Sequence, residues 1–260
     1  MEKTFDLKVF IGGQNWGDKI SPLLVEWISG VKPNLIEIRG GADASKSNLN
    51  FLTVGSILDY CDKNSVVWGS GFIREGDDFK FAAPQKVCAV RGPLSRKRLL
   101  ELGVECPEIF GDPALLFPRY YKPKILSHKE IGIVPHFVDL DVGWVRERLE
   151  DPTVRVIDIN GDPFEVVDQI CSCEKIFSSS LHGLIIADAY GVKSNWIKLS
   201  EGVWGDGYKF RDYFLSVGRK EAEPKLIKED TKLKELVDDF SDYEINIDLD
   251  KLLAACPFRR

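Results

Sequence analysis

The chain has 260 residues, with 41 acidic against 35 basic side chains and a formal net charge of −6. That acid excess argues against a general nucleic-acid binder, which carries a basic surplus, so no nucleic-acid partner is expected. Hydrophobic residues at 44% and charged residues at 29% are ordinary for a globular protein, and no apolar run approaches the roughly 18 residues that span a bilayer. The N-terminal Met1-Glu2-Lys3-Thr4-Phe5-Asp6 carries acids and no apolar stretch, which predicts no signal peptide and a cytoplasmic location. Cys61, Cys88, Cys106, Cys171, Cys173 and Cys256 form no C-x-x-C pair. Reduced, buried thiols are expected rather than a zinc site or a disulfide framework.

Taken in chain order, a strand is expected at 7–11, then Gly12-Gly13-Gln14-Asn15-Trp16-Gly17-Asp18 and a helix at 18–29. Strands at 35–38, 65–68 and 87–90 follow, and then a helix at 93–102 with Pro93 in its first position. Beyond a loop rich in Pro, Lys and Tyr at 117–124, strands at 131–134, 154–159, 176–177 and 195–199 alternate with helices at 142–149, 163–171, 181–190 and 209–215. Asp162 before Pro163 has the form of an N-cap. Amphipathic helices are expected at 231–239 and 248–256. Such alternation argues for an α/β fold with mostly parallel strands. The 117–124 loop divides two runs of similar length, which predicts two Rossmann-like domains, residues 1–122 and 123–260, with the last helices packing back on the first. One continuous doubly wound sheet is the competing reading.

The unusual residues gather where expected strands end. Gly12-Gly13 and Asn15 to Asp18 follow the first strand, Gly69-Ser70-Gly71 follows 65–68, and Arg91-Gly92-Pro93 follows 87–90. Pro135-His136 follows 131–134, Asn160-Gly161-Asp162 follows 154–159, and Ser178-Ser179-Ser180-Leu181-His182 follows 176–177. In open α/β sheets that edge lines the ligand crevice. The serine turn running into an apolar helix aims backbone N–H groups and a positive dipole end at one spot, which suits an anion such as phosphate. His182 adds a group able to move a proton near neutral pH. Arg91, ending a buried strand, has the geometry to grip a carboxylate or phosphate. Each has a plain alternative: the glycines as tight turns, Asp18 as a helix cap, His136 as a satisfied structural histidine. His128 sits in a Lys-rich loop and is expected in solvent. Gly12-Gly13 lacks the full dinucleotide fingerprint. Asp139-Leu140-Asp141 and Asp248-Leu249-Asp250 are common triplets in an acidic chain, so no metal and no cofactor are predicted. Trp204-Gly205-Asp206-Gly207-Tyr208-Lys209-Phe210-Arg211-Asp212-Tyr213 joins aromatics able to stack on a sugar with two cations able to meet an anion, with a plain loop and core helix as the alternative.

Asn15-Trp16-Gly17-Asp18, Arg91-Gly92-Pro93-Leu94-Ser95, Gly111-Asp112-Pro113-Ala114-Leu115-Leu116 and Ser179-Ser180-Leu181-His182-Gly183, in this order over roughly residues 8 to 215, resemble the polysaccharide pyruvyl transferase family. The resemblance implies a GT-B-like pair of domains with a cleft between them. It also implies transfer of pyruvate from phosphoenolpyruvate, as a ketal, to a sugar of a lipid- or nucleotide-linked precursor of a surface or capsular polysaccharide. The protein would work in the cytoplasm with no membrane span, peripheral to the inner membrane face where the acceptor is lipid-linked. On this basis His182 is expected to be the proton donor. Arg91, His136, Ser179, Ser180, Leu181, Lys209 and Arg211 are expected on the donor side, and Asn15, Trp16, Asp18 and Trp204 on the acceptor side. Many members carry Arg-Leu-His-Gly where this chain has Ser180-Leu181-His182-Gly183, and that Arg serves phosphoenolpyruvate binding. The departure leaves Arg91, Arg211 and Lys209 as candidates for the missing charge. A GT-B glycosyltransferase using a nucleotide sugar and a catalytically silent sugar-binding homologue are the competing functions.

Overall fold

The computed structural model describes residues 4–11, 15–38, 49–76, 82–220, 223–240 and 242–259. Gly12-Gly13, singled out above, lies outside them. Strands β1 (Asp6–Val9), β2 (Asn34–Glu37), β3 (Asn50–Leu52), β4 (Ser65–Trp68) and β5 (Lys86–Ala89) form a parallel sheet in the order β2-β1-β3-β4-β5. Strands β6 (Lys129–Val134), β7 (Val154–Val156), β8 (Cys173–Ser178), β9 (Lys193–Lys198) and β10 (Lys225–Leu226) form a second, in the order β10-β9-β8-β6-β7. Both sheets have one topology: the first strand lies second from one edge, the second strand forms that edge, and the third onward build the other way. The chain thus reverses direction between β1 and β3 and again between β6 and β8. Such reversal points are where open α/β sheets bind ligands, because the helices leave on opposite faces and open a crevice at the strand ends.

The helices are α1 (Trp16–Ser29), α2 (Pro93–Glu101), α3 (Gly143–Leu149), α4 (Pro163–Cys171), α5 (Leu181–Ala189), α6 (Tyr208–Ser216), α7 (Leu233–Asp238) and α8 (Leu249–Ala254). α1 starts two residues before the expected position because Asn15 caps it, its side chain accepting the Gly17 N–H at 3.2 Å. Asp18 is therefore not the cap. Asp162 caps α4 as read from the sequence, accepting from Phe164 and Glu165. Two strands escaped the sequence reading. β3 opens on Asn50, a polar residue that breaks the apolar run; it is fully buried because its amide bonds to Asp62 and accepts from Ser65 Oγ at 2.7 Å. β10 is a two-residue edge strand. β8 runs longer than 176–177 because its first half carries Glu174 and Lys175 at the partly exposed end.

The main core crosses the boundary between the sheets. Trp16, Ile20 and Leu24 of α1 and Ala114, Leu115 and Phe117 of the 3-10 segment Pro113–Arg119 pack with Val134, Ile176 and the α5 residues Leu181, Leu184, Ile185 and Ile186. Leu181 to Asp188 of α5 are buried without a break, as for a helix enclosed on all sides. α7 puts Leu236 against the second sheet, with Ile131, Trp144 and Phe177. α8 returns to the first sheet: Leu252 lies with Leu7, Val9 and Trp68, and Trp68 Nε1 donates to the Leu252 carbonyl at 2.9 Å. Leu252→Ala, a truncation at a fully buried site, should lower the unfolding free energy by about 2–5 kcal/mol. Denaturant unfolding should show that loss as a lower midpoint with an unchanged slope.

Candidate active site

The serine turn links β6 to β8. Ser178 Oγ lies 2.9 Å from the Val134 carbonyl and accepts the Ser180 N–H at 3.0 Å. Ser179 Oγ accepts the His136 N–H at 2.8 Å and donates to the buried Asp139 at 2.6 Å, which Ser200 also reaches. Ser178 and Ser179 are thus occupied in holding the turn. Ser180, at the N-cap of α5, makes no side-chain capping bond and its hydroxyl has no hydrogen-bond partner among the described residues. The first-turn N–H groups at Leu181, His182 and Gly183 are likewise left for a ligand or water. The Leu181 side chain points into the core, so only its backbone faces the site.

His182 is fixed from the other half of the molecule. Its Nδ1 lies 2.9 Å from Asn15 Oδ1. The same oxygen accepts from Gly17 N, so it acts as an acceptor and the imidazole carries its proton on Nδ1. Nε2 is buried and has no hydrogen-bond partner among the described residues. Gly17 lies against this ring: a Cβ there would fall 2.2 Å from His182 Cε1 and 2.4 Å from Nε2. Any larger residue in the first turn of α1 would displace the imidazole. Trp16 backs the ring at a centroid distance of 6.0 Å and donates from Nε1 to the Pro163 carbonyl at 3.0 Å. With none of its surface exposed, Trp16 is a wall of the core, not an acceptor-facing residue.

A cationic field surrounds this imidazole. Burial lowers the His182 pKa from 6.5 to about 3, with Lys209, Arg91 and His136 adding to the effect. Burial and Lys209 lower His136 to about 4. Lys209 is buried, 8% exposed, and makes no hydrogen bond or ion pair among the described residues. Its ammonium lies over the Phe210 ring at 5.6 Å, and burial, then Arg91, bring its pKa down from 10.5 to about 8. A buried cation with no counter-charge is costly, and here it stands near two imidazoles held neutral and a helix N-terminus. An entering anion would relieve all of these strains together. The arrangement is built to receive a negative group.

The remaining expected residues are placed differently. Arg91 is fully buried and engaged within the protein: Nε and Nη2 reach Asp212 Oδ2 at 3.1 and 3.0 Å, Nη1 reaches Ser56 Oγ at 2.6 Å and Nη2 the Phe72 carbonyl at 2.6 Å. Expected to hold the donor, it instead braces the fold. Arg211 points to the Asp206 carbonyl and to Glu223 at 3.6 Å, beside a cavity of about 180 Å³ that Ser179 also lines. Trp204 is half exposed under the Arg74 guanidinium at 4.8 Å. Asp18 is half-buried, has no partner among the described residues, and burial raises its pKa from 3.8 to about 6. The aspartate triplets act structurally: Asp141 pairs with Arg146, Asp248 caps α8 and Asp250 pairs with Arg119. His128 is exposed and pairs with Glu174 at 2.8 Å. Ser95 and Asp212 fall inside the stretches singled out from sequence but were given no role there; the signal available was that a buried Arg91 needs a buried acid.

Two parallel sheets of one topology, with an open helix N-terminus and a neutral histidine near their strand ends, define an α/β protein with a polar site at that edge. Residues 3–201 match the family described as polysaccharide pyruvyl transferase, and the chain belongs to that family and is a transferase, its reaction class pyruvyl transfer in polysaccharide biosynthesis. It is 28% identical over 268 positions, covering 97% of this chain and 88% of the relative, to the uncharacterized protein L143 of Acanthamoeba polyphaga mimivirus. It is 27% identical over 160 positions, 60% of this chain and 48% of the relative, to the succinoglycan biosynthesis protein ExoV of Rhizobium meliloti (strain 1021). Among the described residues no helix is long and apolar enough to cross a membrane.

The burial of a neutral His182 has a consequence for stability. Its folded pKa lies below the unfolded value of 6.5, so the unfolded chain takes up the proton first. Stability present above pH 6.5 is therefore lost as pH falls toward the folded value of about 3. His136 acts in the same sense, whereas Asp18, raised to about 6, stabilises the folded state as pH falls from 6 to 3.8. His182→Gln removes one term alone: between pH 6.5 and 4 its melting temperature should fall less than that of the unsubstituted protein. Parallel melting curves against pH check this.

Proposed function

We propose that the protein moves the pyruvyl group of phosphoenolpyruvate onto two hydroxyls of a sugar, forming a ketal and releasing phosphate. The observation that carries this reading is Lys209, a buried, uncompensated cation in the electrostatic neighbourhood of His182. It supplies the charge that Ser180, in place of the family's Arg, does not. The donor phosphate and carboxylate lie against the N-terminus of α5, the Ser180 hydroxyl and Lys209, with neutral His136 near by. In this reading the two sheets form a GT-B-like pair, the donor held mainly by the second-sheet half. The sugar approaches past Asp18 and Trp204.

His182 is neutral while the site is empty, and the donor changes that. Its negative groups reverse the cationic field, so a proton bound to Nε2 becomes favourable when the donor is in place. Asn15 keeps Nδ1–H occupied and aims Nε2 at the substrate. The imidazolium passes its proton to the methylene carbon of the enol, leaving an oxocarbenium-like carbon. One sugar hydroxyl adds there, phosphate departs, and the second hydroxyl closes the ketal. Of the two hydroxyl protons released, one replaces that given to the methyl group and the other leaves with phosphate, so His182 is regenerated. The half-buried Asp18, holding its proton up to about pH 6, is placed to accept a hydroxyl proton at neutral pH. The work belongs in the cytoplasm, at the inner membrane face where the acceptor is lipid-linked.

In a phosphate-release assay with phosphoenolpyruvate and a sugar acceptor, His182→Ala should lower turnover by about 10²–10⁴-fold. Unchanged turnover in the folded variant would remove His182 from the chemistry. A second experiment isolates the cation. kcat/KM for phosphoenolpyruvate should fall above pH 8, where free Lys209 loses its proton. Lys209→Met should raise the donor KM roughly ten- to hundredfold, the worth of a charged hydrogen bond of about 1.5–3 kcal/mol, and Ser180→Arg in that background should recover part of the loss. A donor KM unaffected by Lys209→Met rejects the assignment.

A further inference from the structure

Lys209 and Asp212 are three residues apart on α6, and so share one face of the helix. Asp212 is completely buried, and its side-chain partners come from the first-sheet half of the chain. Besides Arg91, Ser95 donates to it twice, from N to Oδ1 at 2.9 Å and from Oγ to Oδ2 at 2.7 Å. Ser95 Oγ in turn accepts the Phe72 N–H at 3.0 Å, and Arg91 also holds Ser56 and the Phe72 carbonyl. The backbones meet as well: a Cβ at Gly92 would fall 1.9 Å from the Asp212 carbonyl oxygen, so only glycine lets α2 approach α6 this closely. The segments after β3, β4 and β5 thus close on one carboxylate of a helix from the other half.

We infer that Asp212 is a positioning residue: it draws α6 against the first-sheet half so that Lys209 stands close to His182, and Arg91 is the cation that holds Asp212 in place. The inference rests on the reading of Lys209 as the donor's cation. It gives the Arg91-Gly92-Pro93-Leu94-Ser95 motif a job distinct from touching substrate. It also limits how far Arg91 acts against the charge on Lys209. The charged or titratable groups around Lys209 are Arg91 after β5, His136 after β6, His182 on α5 and Asp212 on its own helix. Of these only Asp212 is an acid, and it offsets Arg91.

The test uses Asp212→Asn, which keeps the shape and removes the charge, and Ser95→Ala, which keeps the backbone donor and removes the hydroxyl. The Lys209 side chain is titrated by NMR in protein carrying isotope-labelled lysine, its signal assigned with Lys209→Arg. With Arg91 no longer offset, the midpoint in Asp212→Asn should move down by about one pH unit. The KM for phosphoenolpyruvate should rise about tenfold or more, with acceptor KM unchanged and kcat at saturating donor within about threefold. Ser95→Ala should shift both quantities in the same direction by less, and keeps the test open if Asp212→Asn does not fold. An unmoved Lys209 midpoint with unchanged donor KM overturns the inference. So does an unmoved midpoint with donor binding lost, which would make Asp212 or Arg91 a direct ligand. If the unsubstituted protein turns over no phosphoenolpyruvate, the proposed function fails, while the titration still reads whether Asp212 governs Lys209.

Discussion

The contact between the first turn of α1 and the first turn of α5 is what the rest of the molecule depends on. Gly17 lies on the His182 ring and Asn15 holds its Nδ1. One helix leaves the reversal point of the first sheet and the other that of the second, so this contact brings the two crevices to one place. Trp16 closes the contact from behind and ties α1 to the first residue of α4 through the Pro163 carbonyl. Lys19 adds bonds to the Asn160 and Gly161 carbonyls from the same turn. α5 is buried from Leu181 to Asp188, and its mostly apolar sequence suits that, with Asp188 paired to Arg219.

That burial also creates the electrostatics. Removing water from His182, His136 and Lys209 weakens the hold of each on its proton, and each positive neighbour weakens it further. In isolation this destabilises the fold. Strain of this kind concentrates at functional sites, where a ligand relieves it. The same low dielectric makes an anion's pull on these groups strong. Burial and its positive neighbours thus leave His182 neutral at physiological pH.

The motifs divide between chemistry and construction. Of the four motif segments, the serine-to-histidine turn carries His182, and Asn15 and Gly17 hold its ring. Arg91, Gly92 and Ser95 fasten α6 through Asp212. Asp112 caps the 3-10 segment by accepting the Ala114 N–H at 2.9 Å, and Leu115 and Phe117 behind it are core. The short local patterns that identify the chain are thus largely the patterns that join its two sheets.

Periodicity and punctuation alone determined the helices, most strands and the edge at which the special residues gather, because those depend on local sequence. The caps at Asp162 and the proline start of α2 were legible for the same reason. β3 was not: its buried Asn50 is bonded to Asp62 and Ser65, twelve and fifteen residues away. Without β3 the reversal point of the first sheet is invisible. His182 was readable as a proton-transfer group at a helix start, but its charge was not, since that depends on burial and on Lys209 from another element. Nor could sequence choose among Arg91, Arg211 and Lys209. An arginine and a lysine look equally free in a string of letters. Only tertiary structure supplies Asp212 to Arg91 and Glu223 to Arg211, and leaves Lys209 without an ion pair among the described residues, because pairing of a charge is decided by what folding brings within a few ångströms of it.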